Sequence, residues 1–473
     1  MPPEKYIHQE RHMYRDNPDE PTPPNLLPPT VRLPRAVIAA LFVAGRTDLL
    51  TKSRLRYGPA AILKLPGQGD VVSVSDPALA KKVFTAPADV LHGGDENPLK
   101  EVLGEKSMFG LDQDDHLRAR RLLLPPFHGK RMGEYETIFE EETLAAIADW
   151  PIDRDFATLE SMMQITLRAI IRTVFGAEGK DYEELREHLP PWVALGSLII
   201  ILPVLRRNFG PWSPWAIFQR RRKRYDAIVD RLIERGRNDP KLEERNDVLS
   251  MLLQARYEDG EPMSRDEIAD QLLTILTAGH ETTAGSLAWT FERIRRHPKL
   301  LGELVAEART GGKELREATA LEVQRNRPVI IGAFRYVSKP FQLGPWLLPP
   351  GTIITVDALT SHNDSQTFPD PKRFSPERFL GAKPGTYDWV PFGGGRRRCV
   401  GAAFALLEMD VVLRTILTRC EIVPTSERDE RPFFRGVTLV PRRGGRLRVR
   451  AIDTRPGSKT SREAMEPAVE VEA

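Results

Sequence analysis

The hydrophobic and polar positions of this 473-residue chain repeat mainly with the period of an α-helix. Two regions depart from that period. The apolar runs 61–65 and 71–74 flank a glycine-containing turn at 67–70, which predicts a β-hairpin. The segment 340–356 alternates apolar runs with turns at 344–345 and 349–351, which predicts further strands. The pattern therefore predicts a mainly α-helical protein with a small β region set to one side.

The strongest single helix is predicted at 264–297. Ser264 and Glu267 have the spacing of a capping box, in which each side chain accepts a hydrogen bond from the backbone N–H of the other residue. Pro298 cannot continue a helix, so we expect the helix to end at His297. At a rise of about 1.5 Å per residue it is long enough to cross a whole domain. Because residues 271–279 carry no charged side chain, we expect this helix to be central and buried.

The two ends of the chain differ in composition from its middle. Residues 1–35 are rich in proline and charge, which predicts an N-terminal arm. Residues 454–473 have few large apolar side chains, which predicts a disordered C-terminal tail. We expect residues 36–453 to form a single domain. The apolar run 36–45 is shorter than the roughly 20 residues that cross a bilayer and follows a long polar leader, so it predicts a short buried helix.

Charge and cysteine content narrow the possible function classes. The formal net charge is +3, and this near balance gives no reason to expect nucleic acid as a partner. The chain has two cysteines, Cys399 and Cys420, which are too few for a disulfide framework or for a multi-cysteine zinc or iron–sulfur site within one chain. So few cysteines are typical of a cytoplasmic protein.

The most informative segment is the loop 392–401, with the sequence FGGGRRRCVG. A phosphate-binding loop is disfavoured, because arginines and a cysteine stand where Gly-Lys-Ser/Thr is needed. A turn with a buried cysteine is a second interpretation. The third is a thiolate ligand loop, since residues 402–420 predict a helix directly after Cys399 and a helix N-terminus stabilises a thiolate. Glycines would let backbone N–H groups approach the sulfur, and Phe392 could shield it from water.

Five residues of this loop match the cysteine-loop signature of the cytochrome P450 family: Phe392, Gly395, Arg397, Cys399 and Gly401. The chain resembles that family from about residue 57 to residue 449. The resemblance implies the cytochrome P450 fold, with the helix 264–297 over a haem, and it implies that Cys399 binds the iron of haem b (iron protoporphyrin IX). No Cys-x-x-Cys-His motif is present, so we expect the haem to be held non-covalently.

A second match lies within the long helix, where Ala278, Gly279, Glu281 and Thr282 resemble the oxygen-binding segment of the family. Glycine inside a helix costs about 1 kcal/mol relative to alanine, and the missing side chain would leave a groove where a small ligand touches the backbone. Ala278 and Thr282 share a helix face, and an acid followed by an alcohol supplies a proton path. A helix–helix contact through small residues is the alternative. We interpret His280 as structural, or as a residue that supports the site from behind, and not as a second iron ligand.

Further matches predict residues that hold the haem or the cysteine loop. The resemblance implies that basic side chains bind the haem propionates, namely His116, Arg120, Arg335 and Arg397. It also implies that Glu322 and Arg325, of a Glu-x-x-Arg helix, form a cluster with Arg378 that fixes the loop presenting Cys399. The spacings 116/120 and 322/325 place each pair on one helix face, and arginine pairs well with a carboxylate. Solvated surface groups are the alternative in each case.

The resemblance implies a monooxygenase that uses O₂ and two externally supplied electrons to oxidise a small hydrophobic molecule. We expect the electrons to come from separate chains, a ferredoxin and a ferredoxin reductase. The ferredoxin would dock on basic residues near the cysteine loop, namely Arg118, Arg121, Lys130, Arg131, Arg396 and Arg398. Two alternatives keep the haem: a gas sensor or sequestering protein, which needs no proton path, and a peroxide-dependent haem-thiolate enzyme.

The resemblance places substrate contacts in variable segments, here 92–110, 192–205, 329–332 and the surroundings of Val437. The segment 192–205 is almost wholly apolar, and the basic run 220–224 follows it. One hypothesis is a roof over the haem that admits a lipid, sterol or terpenoid and makes peripheral contact with a membrane. The alternative is a buried helix beside a solvated basic helix.

Overall fold

The computed structural model describes residues 27–65, 68–94, 96–129 and 132–452. Helices make up most of this part of the chain. The α-helices are α1 (Arg35–Val43), α2 (Thr47–Leu55), α3 (Pro77–Thr85), α4 (Lys100–Leu103), α5 (Gln113–Leu123), α6 (Met132–Ile147), α7 (Thr158–Phe175), α8 (Gly179–Ile201), α9 (Pro214–Arg237), α10 (Val248–Gln254), α11 (Arg265–Ile294), α12 (Pro298–Thr310), α13 (Glu314–Asn326), α14 (Ala358–Ser361) and α15 (Ala402–Arg419).

The strands form one five-stranded sheet and several two-stranded pairs. They are β1 (Ala60–Leu65), β2 (Gly69–Val74), β3 (Leu91–His92), β4 (Phe156–Ala157), β5 (Gly332–Val337), β6 (Phe341–Leu343), β7 (Trp346–Leu348), β8 (Ile353–Asp357), β9 (Cys420–Ile422), β10 (Pro432–Arg435), β11 (Thr438–Pro441), β12 (Arg446–Leu447) and β13 (Val449–Ile452). The large sheet has the order β1-β2-β8-β5-β3. The mainly helical class with a small β region is confirmed.

The predicted strand regions are present, and the strands β3, β4, β5 and β9 to β13 lie outside them. β1 and β2 form the antiparallel hairpin that the apolar runs indicate, with Ala60 opposite Val74. β6, β7 and β8 occupy the segment 340–356, and β8 runs parallel to β2. The sequence pattern missed β5, which pairs antiparallel with β8 and places Arg335 opposite Ile354. This strand matters for the site because Arg335 is one of the candidate haem-binding residues.

The long helix α11 is the central element of the fold. The capping box of Ser264 and Glu267 is formed in both directions, and nearly every residue from Ile268 to Ile294 is buried. The predicted end at His297 is wrong, because the helix ends at Ile294. His297 has φ −123° and ψ 77°, since a residue before proline is driven out of the helical region, and Pro298 starts α12.

Two large hydrophobic clusters meet at α11. One joins its N-terminal half, through residues such as Leu272 and Leu276, to α7, α8, α9 and α10. The other joins its C-terminal half, through Leu287 and Phe291, to α12, α13 and α15. Because both clusters share this helix, residues near its middle lie where the two halves of the core come together. The oxygen-binding segment predicted at 278–282 is in that middle part.

The N-terminal region differs from one expectation. The apolar run 36–45 does form a short helix, α1, but it is buried mainly at Ile38, whereas Val37 and Val43 are exposed. The prediction of a buried helix is therefore wrong for its outer face. Residues 1–26 of the predicted arm and the whole predicted tail 454–473 lie outside the described residues. None of the described helices is long and apolar enough to cross a bilayer.

Candidate functional site

The cysteine loop is closed by its own backbone. The N–H of Cys399 donates to the C=O of Phe392 across 2.9 Å. Gly395 has φ +63°, and a Cβ at this position would lie 1.9 Å from the carbonyl oxygen of Phe84 in α3. Glycine is required here by the positive φ and by the approach of α3. The ring of Phe392 packs edge-on against Trp389, with the centroids 5.7 Å apart, so these contacts anchor the start of the loop.

Cys399 presents an accessible thiol at the start of a helix. Protein atoms still surround the sulfur closely, and burial raises the pKa of its thiol, while the N–H of Gly401 and the charges of Arg120 and Arg398 act to lower it. Cys399 is therefore accessible in a place where protein atoms lie close around its sulfur, which we call the recess. Gly401 is the N-cap of α15, whose partial positive end favours a thiolate. By contrast Cys420 is buried, and burial raises the pKa of its thiol to about 12.

A cluster of basic side chains lies near this loop. His116, on α5, is buried, and so is Arg335, which lies over the ring of Phe84 at 5.7 Å. Arg397 donates to a carboxylate oxygen of Asp112 across 2.5 Å and also to the C=O of Leu111. The remaining member is Arg120, which donates to the C=O of Arg398 across 2.7 Å. The structure therefore brings the four predicted propionate-binding residues into one region of the fold.

The electrostatics of this basic cluster favour a bound anion. Burial, followed by the charges of Arg397 and Arg120, lowers the pKa of His116 to about 3. Burial and then the charge of Arg397 lower the pKa of Arg335 to about 10. The carboxylate of Asp112 acts in the opposite direction on both groups, but it is engaged with Arg397. An added pair of carboxylates would offset the mutual repulsion of these groups.

The middle of α11 contains a partly exposed face within an otherwise buried helix. Ala278, Gly279 and Thr282 are partly exposed, whereas the residues that follow them are buried. The hydroxyl of Thr282 donates to the C=O of Ala278 across 2.6 Å. A Cβ on Gly279 would lie 3.0 Å from Cδ1 of Ile170 on α7, so the missing side chain serves close helix packing there. The accessible face is therefore lined by Ala278 and Thr282.

The neighbours of Thr282 on α11 point to different partners. Glu281 is buried, with its carboxylate 3.8 Å from the guanidinium of Arg435 on β10. Burial raises the pKa of Glu281, and the charge of Arg435 acts in the opposite direction. His280 is held on the other side, where its Nδ1 lies 2.9 Å from the hydroxyl of Thr166 and burial lowers its pKa to about 4. This contact supports the structural interpretation of His280.

The Glu-x-x-Arg pair is deeply buried and connects to the cysteine loop. Arg325 donates two hydrogen bonds to Glu322, at 2.7 and 2.8 Å, and both side chains have an exposed fraction of 0%. Arg378 lies 3.9 Å from the same carboxylate, which completes the predicted cluster. Arg325 also donates to the C=O of His362, whose Nε2 accepts the N–H of Val390 across 3.0 Å. The cluster therefore supports the chain just before the loop.

Sequence reasoning missed three residues of these networks. Asp112 accepts the N–H groups of Gly93 and Gly94 and binds Arg397. The other two are His362 and Arg435. Neither has a sequence signal, because its partners lie far away in the chain and a lone histidine or arginine has no distinctive spacing. Asp112 could have been suspected, since it precedes a helix that carries two of the candidate residues.

The basic surface next to the cysteine loop is partly neutralised. Arg396 and Arg398 are exposed. Arg118 pairs with Asp259 across 2.6 Å, and Arg121 pairs with Glu258. Lys130 and Arg131, the other predicted docking residues, lie outside the described part of the chain. Among the described basic residues next to the loop, the exposed Arg396 and Arg398 therefore carry the positive surface charge that no acidic side chain pairs.

Comparison of the sequence with protein families gives a match to the cytochrome P450 family model over residues 28–448. "Putative cytochrome P450 138" of Mycobacterium tuberculosis (strain ATCC 25618 / H37Rv) is 50% identical over 432 residues, which cover 91% of this chain and 98% of the relative. "Putative cytochrome P450 137" of the same strain is 40% identical over 436 residues, which cover 89% of this chain and 91% of the relative.

Comparison with solved structures finds the same architecture. A retinoic acid-bound cyanobacterial protein, CYP120A1, has a TM-score of 0.77 at 21% identity, and the match covers 91% of this chain and all of that one. A second, CYP102L1, has a TM-score of 0.73 at 22% identity, covering 86% and 98% of the two chains. At these identities the likeness concerns the fold alone, and it confirms the fold that the cysteine loop implied.

Proposed function

Because this chain belongs to the cytochrome P450 family, we propose that it is a haem-thiolate monooxygenase in which Cys399 would bind the haem iron. The reaction would insert one oxygen atom of O₂ into a small hydrophobic molecule and reduce the other to water, with two protons and with two electrons from other proteins. The observation that carries the proposal is the accessible thiol of Cys399, which lies in a recess at the N-terminus of α15 beside the N–H of Gly401.

The residues around this thiol fit haem b. A thiolate is a ligand that haem iron binds, and the two propionates would compensate the positive charge of the buried basic cluster. His116, Arg120, Arg335 and Arg397 would bind those propionates, and the partly exposed face of α11 at Ala278 would leave room beside the porphyrin. When bound, the haem supplies the iron centre at which O₂ is activated.

The protein's own contribution at Cys399 is to hold the sulfur in position and to offset part of the cost of ionising it. Burial alone disfavours the thiolate, as the raised pKa of the thiol indicates. The N–H of Gly401, the charges of Arg120 and Arg398 and the positive end of α15 all favour it. The positive charge of a bound iron would favour the thiolate further.

Glu281 and Thr282 would deliver protons to the recess. The hydroxyl proton of Thr282 is donated to the C=O of Ala278, so the hydroxyl oxygen keeps its lone pairs for a water or a substrate atom. The raised pKa of Glu281 allows its carboxyl to carry a proton closer to neutral pH than an exposed glutamate would. The nearby Arg435 limits this shift and holds the carboxylate when it is charged.

The electrons would come from a ferredoxin, itself reduced by a ferredoxin reductase. An acidic ferredoxin would dock against the exposed Arg396 and Arg398, which adjoin the thiol through the loop backbone. The substrate would be a hydrophobic molecule of the lipid, sterol or terpenoid kind, because the segment 192–205 that would cover it is almost wholly apolar. The protein would work in the cytoplasm, with at most peripheral contact to a membrane.

The absorption spectrum of the reduced protein exposed to carbon monoxide tests the proposal. We expect a strongly red-shifted Soret band for the native protein and for the Cys420→Ala variant. We expect the Cys399→Ala and Cys399→His variants to lose this band and all oxygenase activity. A native band at the position typical of imidazole-ligated haem, or full turnover by either Cys399 variant, would refute the assignment.

A further inference from the structure

Polar side chains near the N-terminal end of α11 hold the irregular segment 104–109 by its backbone. We call these three residues the polar clamp: Asp270, Gln271 and Thr274. The N–H of Lys106 donates to the carboxylate of Asp270 across 2.9 Å. Gln271 accepts the N–H of Met108 across 3.2 Å and donates to the C=O of Lys106 across 2.6 Å. A segment without a helix or strand of its own therefore takes its backbone partners from α11.

Thr274 and Gly104 complete the contact between the segment and α11. The hydroxyls of Thr274 and Ser107 lie 2.7 Å apart, and both side chains are buried. Because Thr274 donates its proton to the C=O of Asp270 across 2.6 Å, Ser107 is the donor to Thr274. Gly104 has φ +108°, and a Cβ on it would overlap the carboxylate of Asp270. The close approach of the segment to α11 therefore requires glycine at this position.

Arg222 joins α9 to the same contact. Its guanidinium donates to the buried carboxylate of Asp270 across 2.5 Å and to the C=O of Leu103 across 3.4 Å. Burial raises the pKa of Asp270, and the hydrogen bond and charge of Arg222 act to lower it. Charge-assisted hydrogen bonds of this kind are about twice as strong as neutral ones. The segment is therefore fixed to two helices, α9 and α11, through the protein's own groups.

The polar clamp lies one helical turn from the accessible face of α11. Thr274 precedes Ala278 by four residues, so the two side chains share a helix face. Met108 and Phe109 are the large apolar side chains of the segment, and both are partly buried. They pack against the hydrophobic cluster that contains Phe404, on the helix that follows the thiol. The segment therefore lies on the cluster that joins the N-terminal half of α11 to that helix.

We propose that the polar clamp positions Met108 and Phe109 as a fixed wall of the substrate site and thereby sets the width of the molecules that the site admits. This inference deepens the proposed function and rests on it for the identity of the site. A wall bonded to α9 and α11 can retreat from a ligand only by breaking those bonds, so the cost of retreat falls on wide ligands alone. The site should therefore favour slender hydrophobic molecules. A clamp that served stability alone would leave the preference between narrow and wide ligands unchanged.

Spectral titration of the haem-loaded protein with azoles of two widths tests the proposal. Imidazole is the narrow probe, and clotrimazole, an imidazole that carries a triaryl carbon, is the wide probe. We expect Gln271→Leu to bind clotrimazole about tenfold more tightly than the native protein, as expected for two lost hydrogen bonds, with an unchanged affinity for imidazole. Thr274→Val should change the affinity for clotrimazole in the same direction by a smaller factor. Thr274→Ser keeps the hydroxyl and should discriminate between the azoles like the native protein.

Thr290→Val is the matched control. Thr290 is buried on the same helix and donates to the C=O of Ser286 across 2.8 Å, as Thr274 does to the C=O of Asp270. Thr274 contacts the segment in addition, so the two substitutions differ in that contact. The control variant should bind both azoles like the native protein. Hydrogen exchange of the peptide 104–110, followed by mass spectrometry, should be faster in Gln271→Leu and Thr274→Val than in the native protein or the control.

An unchanged ratio of the two azole affinities in Gln271→Leu would overturn the proposal. An equal change of that ratio in Thr290→Val, or unchanged hydrogen exchange of the peptide in both clamp variants, would overturn it as well. The carbon monoxide spectrum is recorded on the same samples. A red-shifted band in every variant together with an unchanged ratio rejects the wall and leaves the haem-thiolate function standing. A native protein without that band rejects that function, whereas hydrogen exchange needs no haem chemistry and still decides whether the clamp holds the segment.

Discussion

The buried pair of Glu322 and Arg325 offers a test of how the fold supports the cysteine loop. The substitution Glu322→Gln keeps the shape of the side chain and removes its charge. Arg325 has an exposed fraction of 0% and would keep its bonds to the carbonyls of His362, Pro371 and Arg373, but a neutral amide would replace its charged acceptor. The backbone N–H of Ser375 would exchange a carboxylate acceptor for an amide oxygen. A buried guanidinium would thus remain without its counter-ion.

The size of the effect follows from this burial. Removing one partner of a buried ion pair costs about 3–5 kcal/mol, because the remaining charge stays desolvated. A second ion pair on α13 provides the matched control. Lys313 and Glu317 are 66% and 53% exposed and lie 2.9 Å apart, and an exposed pair of this spacing contributes only about 0.3–0.5 kcal/mol. Glu322→Gln and Glu317→Gln make the same chemical change on one helix, so only burial distinguishes them.

Urea unfolding of the haem-loaded protein measures the free energy of unfolding of both variants, and the carbon monoxide spectrum measures the loop. We expect Glu322→Gln to lose several kcal/mol and part of its red-shifted band, since Arg325 supports His362 and His362 accepts the N–H of Val390. Glu317→Gln should resemble the native protein in both measurements. Equal stability of the two variants, or a large loss of stability in Glu322→Gln with an unchanged spectrum, would refute the link between this cluster and the cysteine loop.

Three further predictions concern the recess and the basic cluster. Thr282→Ala should divert most of the electrons consumed to hydrogen peroxide, and Thr282→Ser should restore coupling; an unchanged ratio of peroxide to electrons would contradict the proton-delivery role. Arg435→Gln removes a charge that lowers the pKa of Glu281, so the pKa of Glu281 should rise. The limb of the pH–activity profile that depends on Glu281 should then move to higher pH. A shift to lower pH, or no shift, would count against the interaction of Arg435 with Glu281. At 3.8 Å, with Arg435 43% exposed, the interaction is on the order of 1 kcal/mol in water-like surroundings, about a fivefold change in the ratio of charged to neutral carboxyl. The Arg397→Gln variant should release haem to apomyoglobin about tenfold faster than the native protein, as expected for a lost charged hydrogen bond. The control variant Arg396→Gln, which changes the exposed neighbouring residue, should release haem at the native rate. Equal rates in the two variants would remove Arg397 from the propionate site.

Local patterns in the sequence were sufficient wherever the interaction itself is local. The capping box of Ser264 and Glu267 and the hairpin of β1 and β2 each depend on residues close together in the chain, and both are present. The end of α11 was missed by three residues, because the effect of Pro298 on the residue before it extends into a short turn. Strand β5 was missed because it lies in the interior of the large sheet, where its pairing with β8 and β3, and not its own pattern, defines it.

Long-range partners could not be predicted from the sequence. Glu281 was expected beside Thr282 as a proton donor, but nothing near it in the chain indicates that Arg435 restrains its carboxylate. The partners of the predicted ferredoxin-docking residues were equally unpredictable. The sequence offers Arg118 and Arg121 as positive charges for docking, whereas the structure pairs them with Asp259 and Glu258. The sequence shows which side chains are charged. Only the fold shows whether an oppositely charged side chain already pairs with each of them.

The basic cluster connects folding with cofactor binding. Bringing His116, Arg335 and Arg397 together in a buried region beside Asp112 has an electrostatic cost. Burial is the main cause of the lowered pKa values of His116 and Arg335, and the charge of Arg397 lowers both further. The haem propionates would add two negative charges there. A ligand that binds only the folded state stabilises it, and the stabilisation grows with the logarithm of the ratio of the ligand concentration to the dissociation constant. Part of the free energy of haem binding would therefore offset a repulsion built into the fold. The same arginines that select a dicarboxylate cofactor would then make the stability of the protein depend on having bound it.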